Sequence, residues 1–452
     1  MKKLSRSEFL QVSMMLFGLF FGAGNLIFPP LLGSQSGSIT WLALLAFAIT
    51  AVIFPVMGAI VVSKTDGLNN LASRVGPTFA IVFTTAIYLS IGPGLGIPRA
   101  GSVPFEMAVA PYVPEGSNLF LLRLVYTLVF FSVALFICLK PSKLAKRVGK
   151  YLTPALLALI ALMFIKVLFM EKNVGNPVGV YADSPVTEGF LQGYNTMDAV
   201  AALNFGFVIS LTIQGFGVKD KESVTNYTVK AGLLAGSVLF LVYALLSSIG
   251  MMSSGSTQGF ENGAQILAYS TSNAFGPFGL ILLIAIFTLA CLTTCVGLIT
   301  SGGEYFCSLF NNKLSYRSWV FIWTGFSFLM ANFGLNKLLA FSVPLLDAIY
   351  PIALVLIFMG MSHDRVKFTS LSYKIAAATS VVLPVIYVLS KTFKLRLGFV
   401  TSLVEALPLY EEGLYWILPT LVLTTVTTLV VKVLEKTRDE QNLKVESSKE
   451  SY

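Results

Sequence analysis

Phe20-Phe21-Gly22-Ala23-Gly24-Asn25-Leu26-Ile27-Phe28-Pro29-Pro30 lies in the middle and end of the first long apolar run of the chain. The run, residues 9–31, is long enough to cross a bilayer, which takes about 20 mostly apolar residues. Two glycines and an asparagine at its midpoint weaken the helix where lipid offers the backbone no other partner. Two accounts fit. Small residues let helices pack closely, or the stretch is unwound and its free amides and carbonyls line a buried cavity.

The rest of the chain sets the frame. Of 452 residues, 55% are hydrophobic and only 12% charged, and the mean hydropathy is +0.79. Soluble domains carry roughly 25% charged residues. A soluble enzyme, a secreted disulfide scaffold and a disordered chain are therefore excluded, and an all-α polytopic membrane protein remains. Twelve spans are predicted, at 9–31, 38–62, 78–98, 119–139, 150–170, 196–217, 230–250, 276–303, 317–333, 342–361, 373–390 and 413–432. Pro93, Pro98 and Pro104 interrupt the third, which reads either as one long tilted helix or as a helix followed by a re-entrant segment. Lys2, Lys3 and Arg6 before an apolar run resemble a signal peptide, but the run is too long and eleven spans follow it.

Lys and Arg outnumber Asp and Glu by 31 to 22. They are scattered through short loops, without the basic stripe that nucleic acid requires. With the N-terminus inside, the inner segments hold 23 of the 31 basic residues. The positive-inside bias then places both termini in the cytoplasm of a multi-pass cell-membrane protein. The charged tail 433–452 has no apolar face and reads as disordered. Cys138, Cys291, Cys295 and Cys307 show neither disulfide nor metal spacing, and His363 stands alone, so no resident cofactor is expected.

Span 6 repeats the anomaly of span 1, with Leu203-Asn204-Phe205-Gly206-Phe207 near its middle. Span 6 comes five crossings after span 1, so the two run in opposite directions. Two five-helix units of opposite topology, each opening on an interrupted helix, form the inverted-repeat pattern of secondary transporters. In span 8, Ala290, Thr293 and Thr294 share one helix face at i, i+3 and i+4. They offer a carbonyl and two hydroxyls to a small hard cation, unless the threonines bond back to their own helix.

The stretch Leu16 to Pro30 closely resembles the branched-chain amino acid:cation symporter family, the BrnQ-like carriers. So do Tyr88-Leu89, Gly92-Pro93, Pro98-Arg99-Ala100, Phe105-Glu106, Asn195-Thr196-Met197-Asp198, Asn262-Gly263-Ala264, Ala290-Cys291-Leu292, Leu314-Ser315-Tyr316-Arg317 and Ala348-Ile349-Tyr350-Pro351. The resemblance implies a LeuT-type fold, a five-plus-five inverted repeat with two further C-terminal helices. The repeats would be 1–171 and 196–362, joined by an extracellular linker 172–195, with spans 11 and 12 in 363–432. It also implies import of leucine, isoleucine and valine by symport with sodium as the coupling ion, some members being proton-coupled. Its sodium ligands fall on the carbonyls of Gly18, Phe21 and Ala290 and the hydroxyls of Thr293 and Thr294.

On the same resemblance, the substrate carboxylate meets amides around Gly22, Ala23, Gly24 and Asn25. Its ammonium meets carbonyls of spans 1 and 6 near Asn204 and Gly206. An apolar wall is assigned to Phe205, Phe207, Tyr88 and Leu298. Arg99 and Glu106 are candidates for an outer gate or an interfacial anchor, and Asp347 for proton coupling or an inner gate. Glu304 reads as a side chain reaching inner water. Membrane lipid is the only other partner implied, and oligomeric state is not legible. A membrane enzyme would need convergent acid, base or metal groups within the spans, and a channel a pore-lining ring of charges or carbonyls. The sequence shows neither.

Overall fold

The computed structural model describes residues 3–449, and every regular element among them is helical. Lys2 and residues 450–452, parts of the charged ends considered above, lie outside the described residues. The chain divides into two compact units, Met1–Leu68 with Thr85–Val343, and Asn69–Thr84 with Pro344–Tyr452. Ten described helices are long and apolar enough to cross a membrane. The expected first and ninth spans contribute helices of only 15 and 16 residues.

In the first unit, α1 (Arg6–Phe20) starts at a capping box. The Glu8 amide donates to the Ser5 hydroxyl and the Ser5 amide to the Glu8 carboxylate, at 3.2 and 2.8 Å. It stops short of mid-run, and α2 (Ala23–Ser36) resumes after two residues. Then come Thr40–Ala48, a π-helical turn Ile49–Ile53, and α3 (Phe54–Lys64). The third crossing is one kinked path. Its helix Pro77–Leu89 passes into a π turn Ser90–Gly94, where Gly92 leaves helical geometry at ψ −117° beside Pro93, and continues as α4 (Gly96–Ala108). Trp323 fills the kink, since a Cβ on Gly92 or Gly302 would lie 2.2 or 2.1 Å from its ring.

Next are α5 (Leu119–Cys138) and α6 (Thr153–Leu168), the latter entered through a π-helical stretch Ala145–Leu152. On α5, Val129 and Phe136 are among several large apolar side chains left exposed, as a lipid-facing surface requires. The segment 172–195, expected to be a linker, carries α7 (Pro185–Tyr194). Its polar composition hides a packed helix: a Cβ on Gly189 or Gly193 would meet the Ala43 or Phe47 carbonyl within 2.3 Å. Then follow α8 (Asp198–Gly215), α9 (Lys221–Ser253), α10 (Gly263–Phe275), α11 (Pro277–Leu309) and α12 (Tyr316–Ala331). The broken α1–α2 pair packs against α8, α9 and α11.

A close crossing joins α2 to α9. A Cβ on Gly33 would lie 2.0 Å from the Ser247 carbonyl oxygen, and one on Gly250 equally close to that of Pro30. Backbone cannot swing aside as a side-chain tip can, so Gly250→Val is expected to cost about 1–3 kcal/mol as an overpacked contact. Thermal unfolding in detergent checks this. An unchanged midpoint would mean that the helices separate freely there.

The second unit holds the greater part of α13 (Leu335–Val366), then α14 (Ser370–Lys391) and α15 (Ile417–Lys449). Arg74 donates to the Tyr373 hydroxyl at 2.8 Å, and His363 Nδ1 lies 3.3 Å from the same oxygen. Asp347 is half-buried here, within electrostatic reach of Tyr415. α15 continues through Lys449, which corrects the expectation of a disordered tail. The tail contains no Gly or Pro and is rich in Lys and Glu, which favour helix even without an apolar face.

Candidate functional site

The first break sits at Phe21-Gly22. The Phe21 amide makes the last bond of α1, to the Phe17 carbonyl at 2.9 Å. Phe21 then turns to ψ 90°, and Gly22 is extended at φ −112°, ψ −158°. The Gly22 amide is taken by the Asn25 side-chain oxygen at 2.9 Å. The amides opening α2 have no helical acceptor behind them, as at any helix start. A helix N-terminus with its dipole directed inward favours an anion there.

The second break is not at Leu203–Phe207. That stretch is regular helix within α8, and the interruption falls earlier, at Asn195-Thr196-Met197, between α7 and α8. Met197 takes φ 62°, the left-handed region, which non-glycine residues enter only when the surroundings hold them. Gly206 answers instead to helix packing, its missing Cβ lying 2.8 Å from the Ala59 carbonyl on α3. The sequence carried both signals, a polar motif and a glycine, and the glycine misplaced the break.

The two breaks are tied together by side chains. The Asn25 amide nitrogen donates to the Asp198 carboxylate and to the Tyr243 hydroxyl, and the Tyr243 hydroxyl also lies 3.4 Å from Asp198. Asn25, Asp198 and Tyr243 are 2%, 6% and 0% exposed. Every polar end of Asn25 is thereby used, since its oxygen holds Gly22. Beside this knot lies Arg99, half-buried, in electrostatic range of Asp198 and Cys291. Its Nη2 comes within 3.2 Å of where a Cβ on Gly24 would stand. Arg99 does not pair with Glu106, which instead binds Arg123 at 2.7 Å.

On the other side of Gly22 is α11. A Cβ there would stand 3.1 Å from the Thr294 hydroxyl oxygen, which is buried with no hydrogen-bond partner. Thr293 differs, since its hydroxyl donates to the Ala290 carbonyl at 2.9 Å, the back-bond that the sequence left open. Gly18 abuts Thr153, whose hydroxyl is likewise buried and unpartnered, 2.3 Å from an added Cβ. Uncharged oxygens left unsatisfied beside a broken helix suit a hard cation that takes oxygen ligands.

Among the apolar candidates, Phe205 is fully buried, with its ring 6.0 Å from that of Phe20. A Cβ on Gly297 of α11 would lie 2.9 Å from the Phe205 ring. Leu298 packs towards Gly96 at the start of α4. Tyr88 is committed elsewhere, stacked on Tyr305 at 4.2 Å, and Phe207 is only half-buried. Asn204 is buried with its side-chain oxygen unpartnered. Glu304 lines a separate cavity of about 300 Å³, with Val208, Leu211 and Thr300. Asp198 stood in a family motif without a role assigned to it, and Tyr243 and Thr153 carried no sequence expectation. The available signal was an acid opening an apolar span, since intramembrane acids are functional candidates by default.

The model of the family described as branched-chain amino acid transport protein matches residues 5–434. The chain is similar to the branched-chain amino acid permease BrnQ of Lactobacillus delbrueckii subsp. lactis, 36% identical over 97% of this chain and 99% of that one. The branched-chain amino acid transport system 2 carrier protein of Pseudomonas aeruginosa is 37% identical over the same shares. The branched-chain amino acid permease BraB of Bacillus subtilis is 40% identical over 91% and 92%. Among solved structures, the nucleobase-cation-symport-1 family transporter Mhp1, in a closed conformation with bromovinylhydantoin bound, superposes with a TM-score of 0.53. It does so at 15% identity, over 90% of this chain and 92% of that one, a likeness of fold alone.

Proposed function

The chain belongs to the branched-chain amino acid transport family, and from that premise we propose that it imports leucine, isoleucine and valine by sodium symport. It is a transporter, as its relatives are named permeases and carriers. The reading extends to twelve spans in the cell membrane, both termini in the cytoplasm, and two inverted repeats, each opening on a broken helix. One observation carries it: two interrupted helices meet inside the molecule, and Asn25 joins one break to Asp198 at the other.

A branched-chain amino acid is a zwitterion with an aliphatic arm. In this site the amides of Ala23 and Gly24 receive the carboxylate, and carbonyls ending α1 and α7 receive the ammonium. Phe205, Phe20 and Leu298 surround the arm. Binding by backbone groups limits the number of full charges placed at membrane depth, where each costs about 2.5–3.5 kcal/mol on insertion scales. An apolar pocket separates ligands differing by one methylene by only about 1–3 kcal/mol, so three aliphatic substrates share it. Sodium lies between α1 and α11, on the carbonyls of Gly18, Phe21 and Ala290 and the hydroxyls of Thr293 and Thr294. Substrate and ion both order the residues around Gly22, so each strengthens the other's binding. Rocking of helix bundles about this point gives alternating access.

Radiolabelled leucine uptake into proteoliposomes, with sodium and proton gradients imposed separately, tests the reading. Saturable uptake driven by inward sodium is expected. Uptake driven by protons alone would transfer the coupling to Asp198, a buried carboxylate at the break, and no leucine uptake would end the proposal. Gly24→Val is expected to abolish leucine binding while leaving the protein folded. Its side chain would push the Arg99 guanidinium and the Phe28 ring, 3.2 and 3.4 Å from the first added carbon, into the site. Retained binding in a scintillation-proximity assay would move the substrate away from α2.

A further inference from the structure

Arg99 is held unlike three other arginines for which the structure records partners. Arg123 pairs with Glu106 at 2.7 Å, Arg147 donates to the Phe136 and Ile137 carbonyls at 2.8 and 2.9 Å, and Arg74 donates to Tyr373. Among the described residues, the Arg99 guanidinium has no hydrogen bond or ion pair within reach. A guanidinium presents five donors in a rigid planar fork, and leaving them unused away from bulk water is costly. The nearby acid does not take them up: Asp198 is in electrostatic range of Arg99 but is bonded to Asn25 and lies against the Tyr243 hydroxyl instead. Asp198 thus supplies countercharge without closing the fork.

Place and access agree with a ligand role. Pro98, Ala100, Gly24, Asp198 and Cys291 are all buried, yet Arg99 keeps part of its surface accessible. Arg99 Nη2 stands 3.2 Å from where a Cβ on Gly24 would lie, at the first turn of α2.

We propose that Arg99 binds the substrate carboxylate, forming with the opening amides of α2 a two-sided anion seat, and that it sets the requirement for a free α-carboxylate. The inference rests on the leucine reading above and names the side chain that determines one part of its specificity. A carboxylate matches the guanidinium fork in bidentate geometry. Asp198, held by its own donors, is a positioning residue whose charge offsets the substrate ammonium, so that Arg99, Asp198 and the zwitterion sum to neutral.

The test uses the full-length protein in nanodiscs, with radiolabelled leucine displaced by unlabelled leucine or by leucinamide, whose carboxylate is replaced by a neutral amide. The wild type is expected to prefer leucine strongly. Arg99→Gln is expected to weaken leucine binding by about 10–150-fold, the range for losing a charge-assisted bond, and to bring leucine and leucinamide within a few-fold of each other. A merely structural role would lower the amount of folded protein and leave that preference intact. Arg99→Gln with the wild-type preference overturns the proposal. If that variant does not fold, Arg99→Lys decides: it keeps the charge but not the fork, so weaker leucine binding with a reduced preference supports the proposal. Wild-type affinity and preference in Arg99→Lys overturn it. A wild type that binds no leucine removes the transport reading first, and this inference with it.

Discussion

Asp198→Ala is expected to be the most damaging single change in the molecule. The carboxylate accepts from Asn25 and lies within reach of the Tyr243 hydroxyl, both buried, and it is in electrostatic range of Arg99. Alanine leaves an amide and a phenol without that acceptor and a guanidinium without its countercharge. Stranding a buried donor costs about 1–3 kcal/mol, and more where a charge is involved, against a total stability of only about 5–15 kcal/mol. The expected result is a large fall in the unfolding midpoint in detergent, with leucine uptake lost. Asp198→Asn keeps an acceptor oxygen for Asn25 and is expected to recover part of the stability. Combining Asp198→Asn with Arg99→Gln should cost less than the two single changes added together, because each alone leaves one charge uncompensated. Strict additivity would show that the two side chains do not act as a pair.

The contrast between the two breaks explains how far the sequence could be read. At Gly22 the reason for the break is local. Glycine is costly in a helix, the asparagine three residues on supplies an acceptor for the freed amide, and the signal coincides with the event. At Asn195–Met197 the break is imposed by tertiary contacts. Met197 has no intrinsic preference for positive φ, and the residue after it, Asp198, is bonded to side chains from helices distant in sequence. Gly206 pointed to the wrong place because a glycine in a membrane helix has two uses. Here it admits the Ala59 carbonyl. α7 was missed because its two glycines and polar residues lower its hydropathy, although that same face packs tightly on Thr40–Ala48. Arg99 and Glu106 were weighed as possible partners from their spacing along the chain. Arg123, on another helix, took Glu106 and left Arg99 to the break. Family resemblance reached Asn25 and Thr294 as motif positions, but the opposite states of the two threonine hydroxyls, one satisfied and one not, exist only in three dimensions.

That difference between neighbouring threonines gives the second large effect. Thr293 already donates to the Ala290 carbonyl, whereas the Thr294 hydroxyl is buried beside Gly22 with no partner. An unsatisfied buried hydroxyl costs about 1–3 kcal/mol. Thr294→Ala is therefore expected to leave the sodium-free protein as stable as the wild type or slightly more so. If sodium uses this oxygen, the same change weakens its binding. The sodium concentration for half-maximal leucine uptake should rise by about tenfold or more, equivalent to ~1.4 kcal/mol. The rise in unfolding midpoint on adding sodium should shrink, because that rise follows the ratio of ion concentration to its dissociation constant. Selectivity among leucine, isoleucine and valine should not change, since the apolar arm does not meet this oxygen. Thr294→Ser keeps the oxygen and should behave nearly as wild type, while Thr293→Ala should have the smaller effect, its hydroxyl being already engaged. A stability gain without sodium together with loss of sodium response is a pairing that general damage to α11 does not produce. Unchanged sodium activation in Thr294→Ala proteoliposomes would remove the ion from this position.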